Sequence, residues 1–478
     1  MSNTKMNFTY NTLLGLTNII VPIITFPYAS RVLGPQGIGI TSFAISLVTT
    51  FVILGSLGIP IYGIREIAKS KKDKTKLSNT FSELLLIQVF WSVFIIIAFA
   101  SWLYFTKTYQ NEDAIKYLSF IHIFCSIGLI NWFYQGIEKY KFISIVNFIS
   151  KLLTIALLFI LVKQKEDYWL YYFIVVMSSL VSAIISITYS FKFVKYKLVK
   201  LNFKRHYKPI LILFSTQIAI TIYLNLDVIM LKYLSQLEQV GYYSAAIRII
   251  KTLLILVTSL GVVLIPKISS YIYEKNNNEV RVLVEKSINF VLIISFPMMI
   301  GLCLVSKDII ILFAGSQFGI ASSLLLWLVP LIFLIGMNNI FGLQILVPFN
   351  GEKKLMFIVI FGAVLNFSLN FFLIPIYQGK GAAFSTLVTE GIITVLAYYF
   401  SKKELGFKFP IKKFLTYLIL SLFFIPIVGL ISLVFEGIFY VIVATFVCAV
   451  LYFFALIVIK DKFFIENMYK PVLLKLNL

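Results

Sequence analysis

Residues 25–44 read TFPYASRVLGPQGIGITSFA, two apolar stretches joined by the turn sequence GPQG at 34–37. Because glycine and proline favour turn conformations, this pattern predicts a tight hairpin between two helices. A similar arrangement returns at 224–251, in LNLDVIMLKYLSQLEQVGYYSAAIRIIK. Gly39 and Gly241 occupy the same place in the two copies, which indicates that each copy opens one half of a repeated structure.

The composition identifies the class of protein to which this chain belongs. Hydrophobic residues make up 60% of the sequence, charged residues only 13%, and the mean hydropathy is +0.95. A water-soluble domain needs far more polar surface than this chain can supply. The sequence therefore predicts an all-α polytopic membrane protein.

Apolar runs long enough to cross a bilayer as helices occur about fourteen times along the chain. We place these predicted spans at 12–33, 38–62, 81–104, 114–136, 143–162, 168–191, 209–231, 241–265, 284–306, 322–349, 354–376, 379–400, 411–433 and 438–460. The first run is long and contains inner prolines, Pro22 and Pro27, so we do not interpret it as a cleaved signal sequence.

Basic residues indicate the orientation of the spans. The formal charge of +22 is not concentrated on one soluble domain, so it does not indicate nucleic-acid binding. Most Lys and Arg residues lie in alternate connections, such as 65–76, 192–208 and 402–413, and the opposite connections hold few. Cytoplasmic loops carry this excess of positive charge. We therefore expect a multi-pass protein of the plasma membrane with both termini in the cytoplasm.

The basic segment 192–208 separates six predicted spans from the eight that follow. A second internal echo supports a repeat, because QGIEKYKF at 135–142 follows span four and NGEKKLMF at 350–357 follows span ten. Two halves with even span numbers would be parallel repeats, as in transporters that work by alternating access. We predict lobes of six helices at 1–191 and 209–400, a linker at 192–208, and two further helices with a tail at 401–478.

Enzyme and metal-site motifs are missing from the sequence. Cys125, Cys303 and Cys448 lie in apolar runs without the spacing of metal ligands, and we expect them to be packing residues. The sequence lacks a P-loop, an HExxH motif and a Ser/His/Asp arrangement in a long loop. We therefore predict a protein that is not an enzyme and holds no cofactor or metal, with coupling to Na⁺ or H⁺ left open.

Four ordered motifs resemble those of a known family: FPYASRVLGPQGIGITSFA, LGIPIYGIREIAK, NWFYQGIEKYKFI and DVIMLKYLSQLEQVGYYSAAIRI. They are similar to those of the polysaccharide flippases of the Wzx type, in the superfamily of the MATE drug antiporters and the lipid II flippases. The resemblance covers nearly the whole chain. It implies two six-helix lobes and the transfer of undecaprenyl-diphosphate-linked oligosaccharide units, for a bacterial surface polysaccharide, from the cytoplasmic to the outer leaflet.

The partners that follow from this resemblance are the lipid-linked oligosaccharide itself and membrane lipids. A polysaccharide polymerase and assembly proteins are further candidates.

Cations within the spans are candidate ligands for such a substrate, because a charge at the bilayer centre is costly and is retained for function. Arg248 and Lys251 are three residues apart, so they share a helix face. Lys151 lies in span five, and Arg31 lies near the outer end of span one. Arginine in particular matches the oxygen atoms of a diphosphate. Alternatively, Arg31 and Lys151 extend to the membrane interface.

Two acidic residues, Asp227 and Glu390, are candidates for ion coupling. Each has a structural alternative: Asp227 would pair with Lys232 or Arg31, and Glu390 with a lysine. We expect Glu83 to face water at a helix end.

Histidines and one aromatic cluster add weaker expectations. We expect His206 to be solvated in its basic segment and His122 to be a packing residue rather than a proton relay. The cluster Asn131, Trp132, Tyr134 and Gln135 either stacks on sugar rings or forms an interfacial aromatic belt.

Three other functions remain as alternatives. A MATE-type antiporter of cationic drugs would need acidic groups in its cavity, whereas the deep charges here are mostly positive. A lipid II flippase would bind a chemically similar diphosphate lipid. A membrane scaffold that only organises a biosynthetic complex would not need the buried cations.

Overall fold

The computed structural model describes residues 3–196 and 203–470, and this part of the chain is helical throughout its regular structure. The α-helices are α1 Asn3–Ser56, α2 Ile59–Ser70, α3 Lys74–Thr106, α4 Asp113–Ile127, α5 Asn131–Gly136, α6 Tyr140–Leu161, α7 Tyr168–Ser190, α8 Lys204–Leu234, α9 Leu237–Tyr273, α10 Asn277–Leu304, α11 Ser306–Ala314, α12 Ala321–Leu328, α13 Leu331–Asn338, α14 Glu352–Leu405, α15 Ile411–Leu422, α16 Phe424–Ile431, α17 Gly437–Val458 and α18 Lys462–Phe464. The shorter helices are 3₁₀ turns at Lys165–Asp167 and Ser316–Phe318 and π-helices at Asn339–Leu346 and Ile465–Tyr469.

The prediction of an all-α membrane protein is confirmed. Among the described residues, 11 helical stretches are long and apolar enough to cross a membrane. The stretch Glu352–Leu405 in α14 contains two predicted spans, the stretch Ile20–Ser70 in α1 and α2 overlaps another two, and predicted span seven falls on α8. Part of the predicted linker, 197–202, and the tail 471–478 lie outside the described residues.

Two compact units make up the chain, unit 1 at 1–241 and unit 2 at 242–478. Unit 1 contains α1 to α8 with the first turn of α9, and unit 2 contains the rest of α9 with α10 to α18. The lobe boundaries expected from the sequence stay a prediction.

The predicted turn at 34–37 is a break in α1 at Gly34, whose φ of 66° and ψ of −178° are not helical. A residue with a side chain is strained at positive φ, so glycine suits this position. Pro35 then begins the second helical segment of α1, where its missing N–H has no intrahelical partner to lose.

Gly39 and Gly241, the matching glycines of the two sequence copies, face each other within unit 1. A Cβ added to Gly39 would lie 2.0 Å from the carbonyl oxygen of Leu237, and one added to Gly241 would lie 2.0 Å from that of Pro35. Only residues without a side chain allow helix backbones to approach so closely. The similarity between the two copies therefore includes a shared packing requirement.

Two of the four sequence motifs meet where α2 packs against α5 in unit 1. A Cβ at Gly63 would lie 2.6 Å from the Trp132 ring, and one at Gly136 would lie 2.6 Å from Ile67. Trp132 is 2% exposed and Tyr134 is fully buried. Trp132 stacks on Phe81 with ring centroids 5.7 Å apart. Both alternatives for this aromatic cluster are therefore wrong, because its rings form part of the packed core of unit 1.

Candidate functional site

Arg248 and Lys251 lie on α9, in unit 2. The helix is continuous from Leu237 to Tyr273, so side chains three residues apart project from one face. Arg248 is half-buried and Lys251 is exposed. At 1.5 Å per residue they lie about 16 Å and about 21 Å along the helix from its first residue. The predicted pairing of these two cations on one helix face is consistent with this geometry.

An apolar groove of about 420 Å³ adjoins this part of α9, and we call it the α9–α17 groove. Its wall from α9 is formed by Ile249 and Leu253, which lie on the same turns as the two cations but project from the opposite side of the helix. The other walls come from α10, α16 and α17, with contributions from Pro297, Met298, Leu302, Val428, Ala444, Cys448, Ala449 and Tyr452.

The hydroxyl of Tyr452, in the lining of this groove, already has a hydrogen-bond partner. The hydroxyl of Tyr452 donates to the carbonyl oxygen of Ile293 at 3.0 Å. The remaining lining is almost entirely hydrocarbon, with Thr445 as an exception. The groove therefore suits an apolar chain better than a sugar, and the two C-terminal spans have a role in forming it.

Glu390 lies on α14 in unit 2 and is 7% exposed. Its Oε2 accepts a hydrogen bond from Nδ2 of Asn338 at 2.6 Å. Within the described residues, the other polar atom of this amide, Asn338 Oδ1, is buried without a hydrogen-bond partner. Buried polar atoms are normally paired, so the amide oxygen of Asn338 beside Glu390 can accept from a further donor or bind a cation.

Asn338 was not among the residues that the sequence analysis selected. It ends α13 immediately before the π-helix Asn339–Leu346. An amide in the apolar run 322–349 is a signal that sequence reasoning could have used. The contact with Glu390 joins residues that are 52 positions apart, which the sequence does not reveal.

Unit 1 contains the other candidates, Arg31, Lys151 and Asp227. Nη1 of Arg31 donates to the carbonyl oxygen of Pro27 at 2.7 Å, and the side chain is exposed three residues before the break in α1. Lys151 is half-buried in α6, and within the described chain no carboxylate lies within ion-pair distance of it. Asp227 is 9% exposed in α8. A substrate site built from all four cations stays a prediction.

The expectations for Glu83 and His206 were wrong. Glu83 is 3% exposed and His206 is fully buried. Oε2 of Glu83 lies 2.8 Å from Nε2 of His206 and accepts from Nε of Arg205 at 3.1 Å. The hydroxyl of Tyr62 lies 2.8 Å from Nδ1 of His206. The pairing of α8 with α3 explains the error, because each residue appears exposed when its own segment is considered alone.

Burial of His206 lowers its pKa, and the positive charge of Arg205 lowers it further, against an opposing contribution from Glu83. A neutral imidazole fits this environment, since it can donate from Nε2 to the carboxylate and accept at Nδ1 from Tyr62. His122, the other histidine, lies in the interior of unit 1, 3.5 Å from the Tyr172 hydroxyl and 3.4 Å from the Ser179 hydroxyl.

Comparison with known proteins identifies the family. The family model described as "Polysaccharide biosynthesis protein" matches residues 5–272, more than half of the chain. The chain belongs to this family. A second model, MatE, matches residues 213–372.

Relatives and solved structures agree with this assignment. The chain is 28% identical to a putative O-antigen transporter of Escherichia coli K12, over 84% of this chain and 97% of that protein. The fold is similar to that of the lipid II flippase MurJ in an inward closed conformation, with a TM-score of 0.74, 18% identity and coverage of 95% and 99%. It is also similar to an inward-facing multidrug resistance MATE transporter, with a TM-score of 0.66, 15% identity and coverage of 82% and 94%. The chain is therefore a multi-pass membrane protein of the polysaccharide biosynthesis family, with a fold similar to those of solved transporters.

Proposed function

We propose that this protein is a flippase that moves polyprenyl-diphosphate-linked oligosaccharide units across the bacterial plasma membrane during synthesis of a surface polysaccharide. Transfer from the cytoplasmic to the outer leaflet would proceed by alternating access. The observation that carries this proposal is the pair of cations Arg248 and Lys251 on one face of α9, with the α9–α17 groove on the other side of the same turns.

The chemistry of these two surfaces matches a substrate that has both an apolar chain and an anionic group. A polyprenyl chain needs a hydrocarbon surface, which the groove supplies at a volume within the range of roughly 300 to 1,000 Å³ found for ligand pockets. A diphosphate needs fixed cations, and an arginine fork is the best match for its oxygen atoms. A cationic drug would be repelled by the same two side chains.

Coupling to Na⁺ or H⁺ is a further part of the proposal, and Glu390 is the candidate group. Its support is its burial beside the amide of Asn338, whose Oδ1 is buried without a hydrogen-bond partner. Asp227 is a second candidate, supported by its burial in α8. Arg31 and Lys151 remain candidate contacts for the diphosphate or for acidic sugars.

The test measures the leaflet in which the polyprenyl-linked oligosaccharide resides. Cells depleted of this protein are treated with an impermeant glycan-binding probe, and the labelled lipid-linked sugar is quantified. Flipping predicts that the sugar accumulates on the cytoplasmic side and that surface polymer is lost. An unchanged leaflet distribution together with altered sensitivity to cationic drugs would contradict the proposal and favour an antiporter. Normal growth of polymer despite replacement of both cations would favour a scaffold.

Complementation then tests the two cations. Arg248→Ala and Lys251→Ala are expressed in the depleted cells, and their amounts in the membrane are measured. We expect reduced surface polymer at normal protein levels. Lys267→Ala is the matched control, because Lys267 is an exposed lysine on the same helix beyond predicted span eight. Equal activity of all three variants would exclude a role for the cations.

A further inference from the structure

A second apolar groove lies in unit 1, between α3 and α8, and we call it the α3–α8 groove. Its volume is about 540 Å³. Ile87, Phe90 and Trp91 line it from α3, and Tyr207 and Leu211 line it from α8 together with Phe203, the residue before that helix. Phe90 is 70% exposed and Tyr207 is 69% exposed, so the groove opens at the surface of the protein.

The groove is preformed, because polar contacts fix both of its walls. Glu83, one helical turn before Ile87, binds Arg205 and His206 at the start of α8. Nε1 of Trp91 donates to the carbonyl oxygen of Leu54 at 2.7 Å. A ligand would therefore enter a surface whose side chains are already ordered, which reduces the entropy cost of binding.

Two lysines flank the apolar lining on α8. Lys204 and Lys208 are exposed and four residues apart, so they share one edge of the helix beside Phe203 and Tyr207. Within the described chain, neither lysine has a carboxylate within ion-pair distance, whereas the charge of neighbouring Arg205 is balanced by Glu83. The edge of the groove therefore carries uncompensated positive charge.

We propose that the α3–α8 groove binds an anionic phospholipid of the cytoplasmic leaflet. One acyl chain would lie along Ile87, Phe90 and Trp91, and the phosphate would lie between Lys204 and Lys208. The charge of the two lysines favours an anionic head group over a zwitterionic one. The segments before α3 and α8 are basic, which by the positive-inside rule places this end of both helices in the cytoplasm. This proposal does not depend on the flippase activity.

The experiment uses Trp91 as a reporter, since brominated acyl chains quench the fluorescence of a tryptophan that they touch. The full-length protein is reconstituted in phosphatidylcholine with increasing mole fractions of brominated phosphatidylglycerol, and in parallel with brominated phosphatidylcholine. The chain contains five tryptophans, so the difference between wild type and Trp91→Phe isolates the reporter. We expect half-maximal quenching at a mole fraction up to about 25-fold lower for phosphatidylglycerol, about five-fold for each lysine.

Matched charge variants decide whether the preference belongs to this groove. Lys204→Gln with Lys208→Gln should remove the preference for phosphatidylglycerol while leaving the protein folded, because both side chains are exposed. Lys402→Gln with Lys403→Gln, an equal charge change in the last turn of α14, should leave it unchanged. Equal quenching by the two lipids, or absence of quenching at Trp91, would overturn the proposal. Displacement of the brominated lipid by an unlabelled polyprenyl phosphate, but not by phosphatidylglycerol, would also overturn it.

Discussion

Replacement of either glycine at the contact between α1 and the start of α9 should destabilise unit 1. In Gly39→Ala, the new methyl group would lie 2.0 Å from the carbonyl oxygen of Leu237, whereas ordinary contact begins at 3.4 Å. The backbones must therefore separate by about 1.4 Å, since neither contact atom belongs to a movable side chain. Overpacking of this kind costs about 3 kcal/mol. Gly241→Ala meets the carbonyl oxygen of Pro35 at the same distance and should cost the same.

The double variant gives the sharper result. Once one methyl group has separated the two backbones, the space needed by the second already exists. We therefore expect Gly39→Ala with Gly241→Ala to cost about 3 kcal/mol in total rather than about 6 kcal/mol. Gly429→Ala is the matched control, because a Cβ there meets no atom within 4 Å. Alanine favours helix over glycine by about 1 kcal/mol, so this control should be neutral or stabilising.

The measurement is the apparent thermal midpoint of the purified protein in detergent, at one fixed heating rate because unfolding is irreversible for many membrane proteins. Each single variant and the double variant should lower the midpoint by roughly 3 to 6 °C, given the entropy of unfolding expected for 241 to 478 residues. Additive losses in the double variant, or single variants that match Gly429→Ala, would refute the close backbone contact.

Three further predictions concern the packing and polar clusters. Ala449→Phe, which fills the α9–α17 groove, should reduce the amount of surface polymer while the protein is present in the membrane at normal levels. Val450→Phe, at a 49% exposed position outside the groove lining, should not reduce it. Equal effects of the two variants would show that the groove has no role in transport. Because the pKa of His206 in the folded protein lies below the ordinary 6.5, the folded state binds fewer protons, so the thermal midpoint should fall as pH drops from 7.5 to 5.5. The thermal midpoint of His206→Gln should fall less than that of the wild type over this pH range. Parallel curves of midpoint against pH for the two proteins would contradict the role of the buried imidazole. Glu390→Gln should abolish any dependence of transport on Na⁺ or on the pH gradient, and a retained dependence would exclude this group.

The membrane architecture could be read from the sequence because it depends on length and apolarity within single segments. Each predicted span lies on helical structure, and the turn expected at 34–37 is the break at Gly34. The two long helices, α1 and α14, show where this local reading is incomplete. The second break, at Gln378 with φ of 51°, lies in the two-residue gap between the predicted spans 354–376 and 379–400, where the sequence analysis predicted no particular turn.

Contacts between distant segments account for the errors. Glu83 and His206 are 123 positions apart, and each is polar within a segment that reads as exposed, but together they form a satisfied buried pair. From the sequence alone, Trp132 likewise suggests a position at the membrane interface, whereas in the structure its ring packs against Gly63 of α2. Pairing between helices was not available to a reading based on periodicity and composition, so burial was misjudged where polar or aromatic residues meet across elements.

The α9–α17 groove shows why the candidate site was only half visible from the sequence. Charged residues in a span stand out because they are costly there, so Arg248 and Lys251 could be selected as candidates from the sequence alone. Apolar residues in a span carry no such signal, since lipid-facing, core and ligand-facing positions have the same composition. Ile249 and Leu253 can be recognised as groove-lining residues only in the structure, where α10, α16 and α17 leave an open groove beside them. For a substrate with an anionic head and an apolar chain, sequence can therefore indicate the part of the site that binds the head, whereas the part that binds the chain must be found from the fold.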